Sequence, residues 1–175
     1  MFKTITLILI VIVGAVIGMA LSKPDTFRVE RAITIKASPE KIFALINDFH
    51  QWVTWSPWEK LDPTMQRTHS GAENGQGAIY AWKGNNQVGQ GSMEILASTP
   101  PSKVLIKLDF IQPFESHNQA EFTLIPKDDM TEVTWTMSGP NTFIGRVMSV
   151  FVSMDTMIGK DFESGLNNMK MAAEK

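Results

Sequence analysis

Imidazole is the side chain best suited to proton or metal chemistry near neutral pH, and this chain of 175 residues carries three, His50, His69 and His117. No two of them stand at a spacing that would bring both onto one metal ion, and neither an HExxH segment nor a carboxylate–histidine pair occurs. There is no cysteine, which removes disulfides, thiolate nucleophiles and thiolate-bound zinc together. A GxSxG nucleophile turn is missing, and Ser164-Gly165 falls inside a helical pattern, where the glycine serves close approach of helix and sheet. Gly75-Gln76-Gly77 and Gly89-Gln90-Gly91 lack the third glycine and the strand–helix context of a dinucleotide site. The sequence therefore gives reason to expect no metal, no cofactor and no catalytic residue.

What remains are polar and aromatic groups in apolar surroundings. Arg31 falls between Val29 and Ile33 on the inward parity of a strand. Either it needs a carboxylate or a ligand there, or its stem packs while its head reaches water at the strand's start. Tyr80 and Trp82 can each offer one hydrogen bond from an apolar wall, to a ligand or to an internal partner. Asn118 has inward parity next to His117. Trp52, Trp55 and Trp58 crowd one loop, and three placements are open to them: a plug under the end of the sheet, a lid over a cavity mouth, or a contact with a bilayer.

Such groups need elements to position them. Thr4 to Leu21 is an uncharged apolar run of 18 residues between Lys3 and Lys23-Pro24-Asp25, about 27 Å long as a helix and so enough to cross a hydrocarbon core. It reads as an uncleaved signal anchor. A cleaved apolar region is ordinarily about 7–15 residues long behind a more basic start than Met1-Phe2-Lys3. The domain is then expected at the cell membrane, single-pass, on the non-cytoplasmic side, although the flanking charges alone would place it inside; the alternative is secretion or a periplasmic location after cleavage near Gly18 and Ala20. Gly14 and Gly18 form a GxxxG pair, a weak dimerisation signal. Residues 1–25 thus form an anchor and linker, and 26–175 are the right length for one domain with one core. A net charge of −2, a pI near 5.9 and no Lys/Arg stripe exclude nucleic acid as a natural partner.

Beyond the linker, Phe27 to Lys36 alternates as a strand. Ser38-Pro39-Glu40 opens a short helix with Ser38 as N-cap and Ile42, Phe43, Leu45 and Ile46 as its buried stripe. Six alternating segments come next, from Met65 to Ser138, with Gly84-Asn85-Asn86 and Lys127-Asp128-Asp129 as hairpin tips, which predicts an antiparallel meander. From Asn141 onward, Phe143, Val147, Phe151, Met154, Ile158, Phe162, Leu166 and Met169 recur at helical spacing, predicting one helix of some seven turns laid across the sheet. Charged neighbours mark the solvent side of each strand and so assign Tyr80, Trp82, Met93, Phe110, Phe122 and Trp135 to the inner face. The helix adds Ile158 and the thioethers of Met154, Met157 and Met169, which adapt to irregular apolar shapes. Singly these residues read as packed core. Together they suggest an apolar cavity.

This order of elements resembles the START-like polyketide cyclase/dehydrase superfamily, also called SRPBCC, and in particular a branch found in bacterial proteins with an N-terminal membrane segment. The local phrases that carry the resemblance are Ala37-Ser38-Pro39-Glu40-Lys41-Ile42-Phe43, Trp55-Ser56-Pro57-Trp58, Gly77-Ala78-Ile79-Tyr80-Ala81-Trp82, Val88-Gly89-Gln90-Gly91 and Ile158-Gly159-Lys160-Asp161-Phe162-Glu163-Ser164-Gly165-Leu166, and the match runs from Phe27 to about Met171. It implies an α+β helix-grip fold of the START/Bet v 1 kind, an antiparallel sheet of about seven strands wrapped around a long C-terminal helix. It also implies a shared cavity and no shared reaction. The expected function is a membrane-tethered binder or carrier of a hydrophobic small molecule (lipid-like, quinone or aromatic). The walls would be Tyr80, Trp82, Met93, Phe110, Phe122, Trp135, Met154 and Ile158, with Trp55 and Trp58 at the mouth and Arg31 as polar anchor. Alternatives are a cyclase- or dehydratase-like enzyme using the same cavity, and a protein-interaction module like the family's chaperone co-activators.

Overall fold

A computed structural model describes residues 2–175; Met1 lies outside the described residues. Helix α1 (Phe2–Leu21) leads through a four-residue linker to strand β1 (Thr26–Ile35). Helix α2 (Pro39–Asn47) and two short 3-10 turns (Phe49–Thr54 and Pro57–Lys60) come next. The meander comprises β2 (Gln66–Gly71), β3 (Ala78–Lys83), β4 (Gln90–Thr99), β5 (Lys103–Gln112), β6 (Ser116–Lys127) and β7 (Met130–Pro140). Helices α3 (Phe143–Ser149) and α4 (Met154–Ala173) end the chain.

The seven strands form one antiparallel sheet in the order β1-β7-β6-β5-β4-β3-β2. Consecutive strands from β2 to β7 pair as hairpins, and β1 closes on β7 with Thr26 opposite Pro140 and Ile35 opposite Thr131. The segment between β1 and β2, which carries α2 and the tryptophan loop, therefore crosses from one edge of the sheet to the other, and it covers one end of the inner face. α4 lies across the same face, so the architecture is the helix-grip α+β fold.

Local chemistry explains the elements. The Ser38 side chain accepts from the Lys41 N–H and Pro39 occupies the first turn of α2, whose Ile42, Phe43 and Ile46 are buried. Strand parity holds throughout the inner face: Val104 and Ile106 of β5, Ala120, Phe122 and Leu124 of β6, and Val133, Trp135 and Met137 of β7 are all buried. β2 is an edge strand with every residue exposed, and its Arg67 and His69 are polar groups of the kind that deter edge-to-edge pairing.

The C-terminal helix departs from expectation. It is two helices, broken at Val150–Ser153, where the Ser153 side chain accepts from the Thr156 N–H and starts α4 afresh, with Asp155 in its first turn. Periodicity alone runs through such a break because the turn happens to preserve the apolar spacing. Phe143 and Phe151, expected on the buried stripe, and Met157, expected against the inner face, are exposed. Only α4 grips the sheet, burying Phe162, Leu166 and Met169.

Two glycines let α4 come close. A Cβ at Gly165 would stand 2.9 Å from Cζ3 of Trp135 and 3.2 Å from Cδ of Pro57. At Gly159 it would strike the guanidinium of Arg31, which lies across that glycine to reach Asp155 and Glu163, one helical turn away on either side. Among the described residues, α1 is the one helix long and apolar enough to cross a membrane, a property shared by membrane spans and signal sequences; its mean hydropathy is 2.8 and few of its residues are buried.

Candidate functional site

Between the inner face of the sheet and α4 lies a cavity of about 210 Å³. Its walls are built in three layers. The sheet supplies Tyr80 and Trp82 from β3, Met93 from β4, Leu108 and Phe110 from β5, Ala120 from β6, and Trp135 and Met137 from β7. α4 supplies Ile158 and Phe162, and the crossing segment supplies Trp52, Ser56, Trp58, Glu59 and Met65. Val88 reaches in from the β3–β4 hairpin. Trp135 stacks on Phe162 with centroids 4.0 Å apart and planes within 6°, while Trp58 meets Trp135 edge-on at 5.8 Å. Trp82 and Phe110 meet edge-to-face at 5.8 Å on the side where both are only half-buried.

The tryptophan loop is held by the helix that precedes it. The last carbonyls of a helix lack internal partners, and here two indoles supply them: Trp52 Nε1 donates to the Ile46 carbonyl at 3.0 Å and Trp55 Nε1 to the Leu45 carbonyl at 2.9 Å. Both rings are buried, so these two form the plug. Trp58, half-buried, faces the cavity. Asp62 fastens the loop to the β3–β4 hairpin by accepting from the backbone N–H groups of Thr64 and Asn85 and from the Thr64 hydroxyl. Those bonds hold its carboxyl below the ordinary aspartate value.

The cavity's polar groups are few. Glu59 is buried, and its carboxylate accepts from the Tyr80 hydroxyl at 2.6 Å and from Arg67 Nε at 2.7 Å. Burial first, and then the bond to Glu59, push the Tyr80 phenol up, so Tyr80 stays a donor. Behind Tyr80, His69 stands 5.0 Å away between centroids and stacks on His50 at 4.1 Å. Although β2 is exposed, partial desolvation of that ring, and next the His50 ring beside it, lower its proton affinity. The Trp52 and Trp82 indoles are satisfied by backbone carbonyls, whereas Nε1 of Trp135 is buried with no partner. A buried orphan donor costs about 1–3 kcal/mol; the Trp135 ring is part of the cavity wall, but this N–H has no surface open to it.

Of the residues singled out from sequence, Tyr80, Trp82, Met93, Phe110, Trp135, Ile158 and Trp58 line the cavity together. Four do not. Phe122 is fully buried behind Trp135, stacked at 4.9 Å, and Trp55 is fully buried against Phe122 rather than at the mouth. Met154 packs on the core at the start of α4 without reaching the cavity. Arg31 has inward parity, but its guanidinium is consumed by a bidentate pair with Asp155 at 2.7 and 3.0 Å and by Glu163 at 2.7 Å. It clamps β1 to α4 and does not line the cavity. The thioethers at the cavity are those of Met65, Met93 and Met137, not those of α4. Asn118 is buried as its parity required, away from the cavity, and His117 pairs with Asp109 at 2.8 Å outside. Sequence reasoning missed Glu59 and Ser56 because they lie in the non-periodic crossing segment, where the one available signal was Pro57-Trp58 with an acid directly after it; Met65, read as the start of a strand, stands just before β2. Among the described residues no cluster of His, Asp and Glu is arranged to hold a metal ion.

Solved structures share this fold. The di-domain ARO/CYC BexL from the BE-7585A biosynthetic pathway superposes with a TM-score of 0.63 at 11% identity, over 91% of this chain and 53% of that one. Major latex-like protein 151 from Panax ginseng gives 0.61 at 12% identity, over 87% and 100%. The Aha1 dimer from Colwellia psychrerythraea gives 0.58 at 20% identity, over 85% and 96%. At such identities the likeness is one of fold. No curated protein matches the chain by sequence. The family model for polyketide cyclase/dehydrase and lipid transport covers residues 26–174, a span that takes in every strand together with α2, α3 and α4, and the chain belongs to that family.

Proposed function

We propose that residues 26–175 bind one small hydrophobic molecule, and that residues 1–25 hold this binding domain at a membrane. The observation that carries the reading is the cavity itself, whose wall is aromatic and aliphatic but for Ser56, Glu59 and the Tyr80 hydroxyl. Apolar walls with a few polar groups are what small-molecule sites require. Size narrows the class. A void of about 150 Å³ accepts a benzene ring, and drug-sized sites run to roughly 300–1,000 Å³. At about 210 Å³ the space suits a one- or two-ring aromatic ketone or quinone head, and a whole sterol or phospholipid is too large to fit inside it.

The test is native mass spectrometry of the full-length chain extracted in mild detergent. A reproducible adduct of small-quinone or aromatic-ketone mass is expected, reduced in Trp82→Ala and Phe110→Ala variants whose circular dichroism is unchanged. A clean apo mass from every preparation would count against binding.

One observation favours catalysis as a second reading. Glu59 and Tyr80 place a carboxylate and a phenol on the wall of the same cavity, the groups a cyclisation with loss of water would use as base and acid. Both oxygens of Glu59 are already engaged, one by Tyr80 and one by Arg67, and binding is preferred for that reason. An adduct that loses one water with time, and no longer does so in Glu59→Gln, would reverse the preference. A filled core and an exposed apolar patch around the tryptophan loop would favour the interaction-module alternative; the cavity and the burial of Trp52 and Trp55 support binding instead.

A further inference from the structure

The segment between β7 and α4 carries apolar side chains that the domain leaves uncovered. Phe143 is 47% exposed, Ile144 64%, Met148 47%, Phe151 72% and Val152 47%. α4, by contrast, turns Phe162, Leu166 and Met169 inward. α3 does not stand at a random place on the surface: it packs beside α1, and Ala20, near the end of α1, is fully buried. The linker is pinned to the same corner, because the Asn141 N–H donates to the Asp25 carbonyl at 2.7 Å and the Asn141 side chain donates to the Pro24 carbonyl at 3.1 Å. Asn141 is two residues ahead of α3, so α3 is held where α1 leaves the domain. From Asn141 to Ser153 the only charge is Arg146, and there is no carboxylate to oppose an anionic surface.

We infer that α3 and the turn after it form a second membrane contact, lying at the headgroup–acyl boundary of the bilayer that α1 enters, with Phe143, Ile144, Met148, Phe151 and Val152 in lipid. This rests on the reading of α1 as a membrane helix. Short apolar faces bury some 5–10 Å into that boundary, and a basic residue among them favours anionic lipid. A span with a slack linker would leave the domain free to tumble; here the pinned linker and α3 together set its orientation. The turn at Val150–Ser153 runs directly into α4, whose second turn places Ile158 on the cavity wall, so the contact brings that wall to the lipid surface.

The chain has no cysteine, which makes single-site labelling direct. Full-length Ile144→Cys and Phe151→Cys, with Val11→Cys in α1 and Asn86→Cys at the β3–β4 hairpin as references, are labelled with an environment-sensitive fluorophore. They are then reconstituted into vesicles of mixed phosphatidylcholine and phosphatidylglycerol. The expected result is blue-shifted emission at positions 144 and 151 and quenching by lipids carrying a nitroxide near the glycerol end of the acyl chain, several-fold stronger than at position 86. If the α1 label is quenched by lipid while 144 and 151 behave like 86, the second contact is wrong and the tether stands. If the α1 label is not quenched either, the tether itself is wrong and this inference falls with it. Labels at 144 and 151 shielded both from lipid quenchers and from aqueous iodide would show that a protein, not lipid, covers the face, and would also overturn it.

Discussion

Trp135 combines two properties that seldom coexist in one buried indole. Its ring is fully stacked, on Phe162 at 4.0 Å and on Phe122 at 4.9 Å, yet its N–H has no acceptor. The stack fixes the ring, and because the N–H has no surface open to the cavity, only the ring itself can meet a ligand. Trp135→Phe removes part of that ring surface and a donor that no ligand reaches. It is expected to weaken binding of naphthoquinone and of naphthalene, monitored by quenching of the remaining tryptophans, by the same factor, roughly 2–10-fold. A loss confined to naphthoquinone would mean that the N–H does reach the ligand's carbonyl. Which residues face this cavity is legible in the strands, because a period of two converts one charged neighbour into an assignment for a whole strand; Tyr80, Trp82, Met93, Phe110 and Trp135 are all identified that way. Parity says which face a residue is on, not how deep it lies, so it puts Phe122 in the wall when that ring stands behind it. Glu59 is not legible, since its burial depends on the Arg67 and Tyr80 bonds that only the folded crossing segment brings together.

α4 is positioned by what it lacks. Gly165 admits the edge of Trp135, and Gly159 admits the Arg31 guanidinium that ties β1 to Asp155 and Glu163. The sequence pattern points to Gly165 as a place of close approach, and the geometry agrees. For Arg31 parity is right and the partner unforeseen, because Asp155 and Glu163 lie more than a hundred residues downstream on an exposed helix face. Gly165→Leu would force the helix off Trp135, and overpacking of that kind costs about 1–3 kcal/mol. The expected outcome is a lower urea midpoint together with loss of probe binding, since the Trp135–Phe162 stack forms part of the cavity. A variant of unaltered stability and binding would mean that α4 does not sit as closely as described. The break before α4 escapes a sequence reading for a reason specific to helices: apolar spacing continues across Val150–Ser153, and the cap at Ser153 is a one-residue signal against an eight-residue stripe.

At the scale of the whole molecule, the ionisable groups arrange a stability plateau bounded on both sides. Hydrogen bonds from Thr64 and Asn85 lower Asp62, the Arg31 bond lowers Asp155, and bonds from Arg28 and Thr136 lower Glu30. A group with a depressed folded pKa contributes stability that is complete above its unfolded value and lost as pH falls through its folded one. These carboxylates therefore act below about pH 4. His69 is also depressed, by desolvation and then by His50, so its contribution begins to disappear earlier, once pH drops below about 6.5. Tyr80 has the opposite sign. Burial and the Glu59 bond raise it, so its contribution is complete below about pH 10 and is lost above it. Thermal unfolding measured across pH should then show a plateau from about 6.5 to about 10, a shallow acid step, a steeper acid loss and an alkaline fall. Two variants separate the limbs. His69→Gln should remove the shallow acid step and leave the alkaline fall, and Tyr80→Phe should flatten the alkaline fall and leave the acid limb. If Tyr80→Phe left the alkaline fall unchanged, the phenol would have to be reaching solvent and ionising freely. The Tyr80–Glu59 bond would then be wrong.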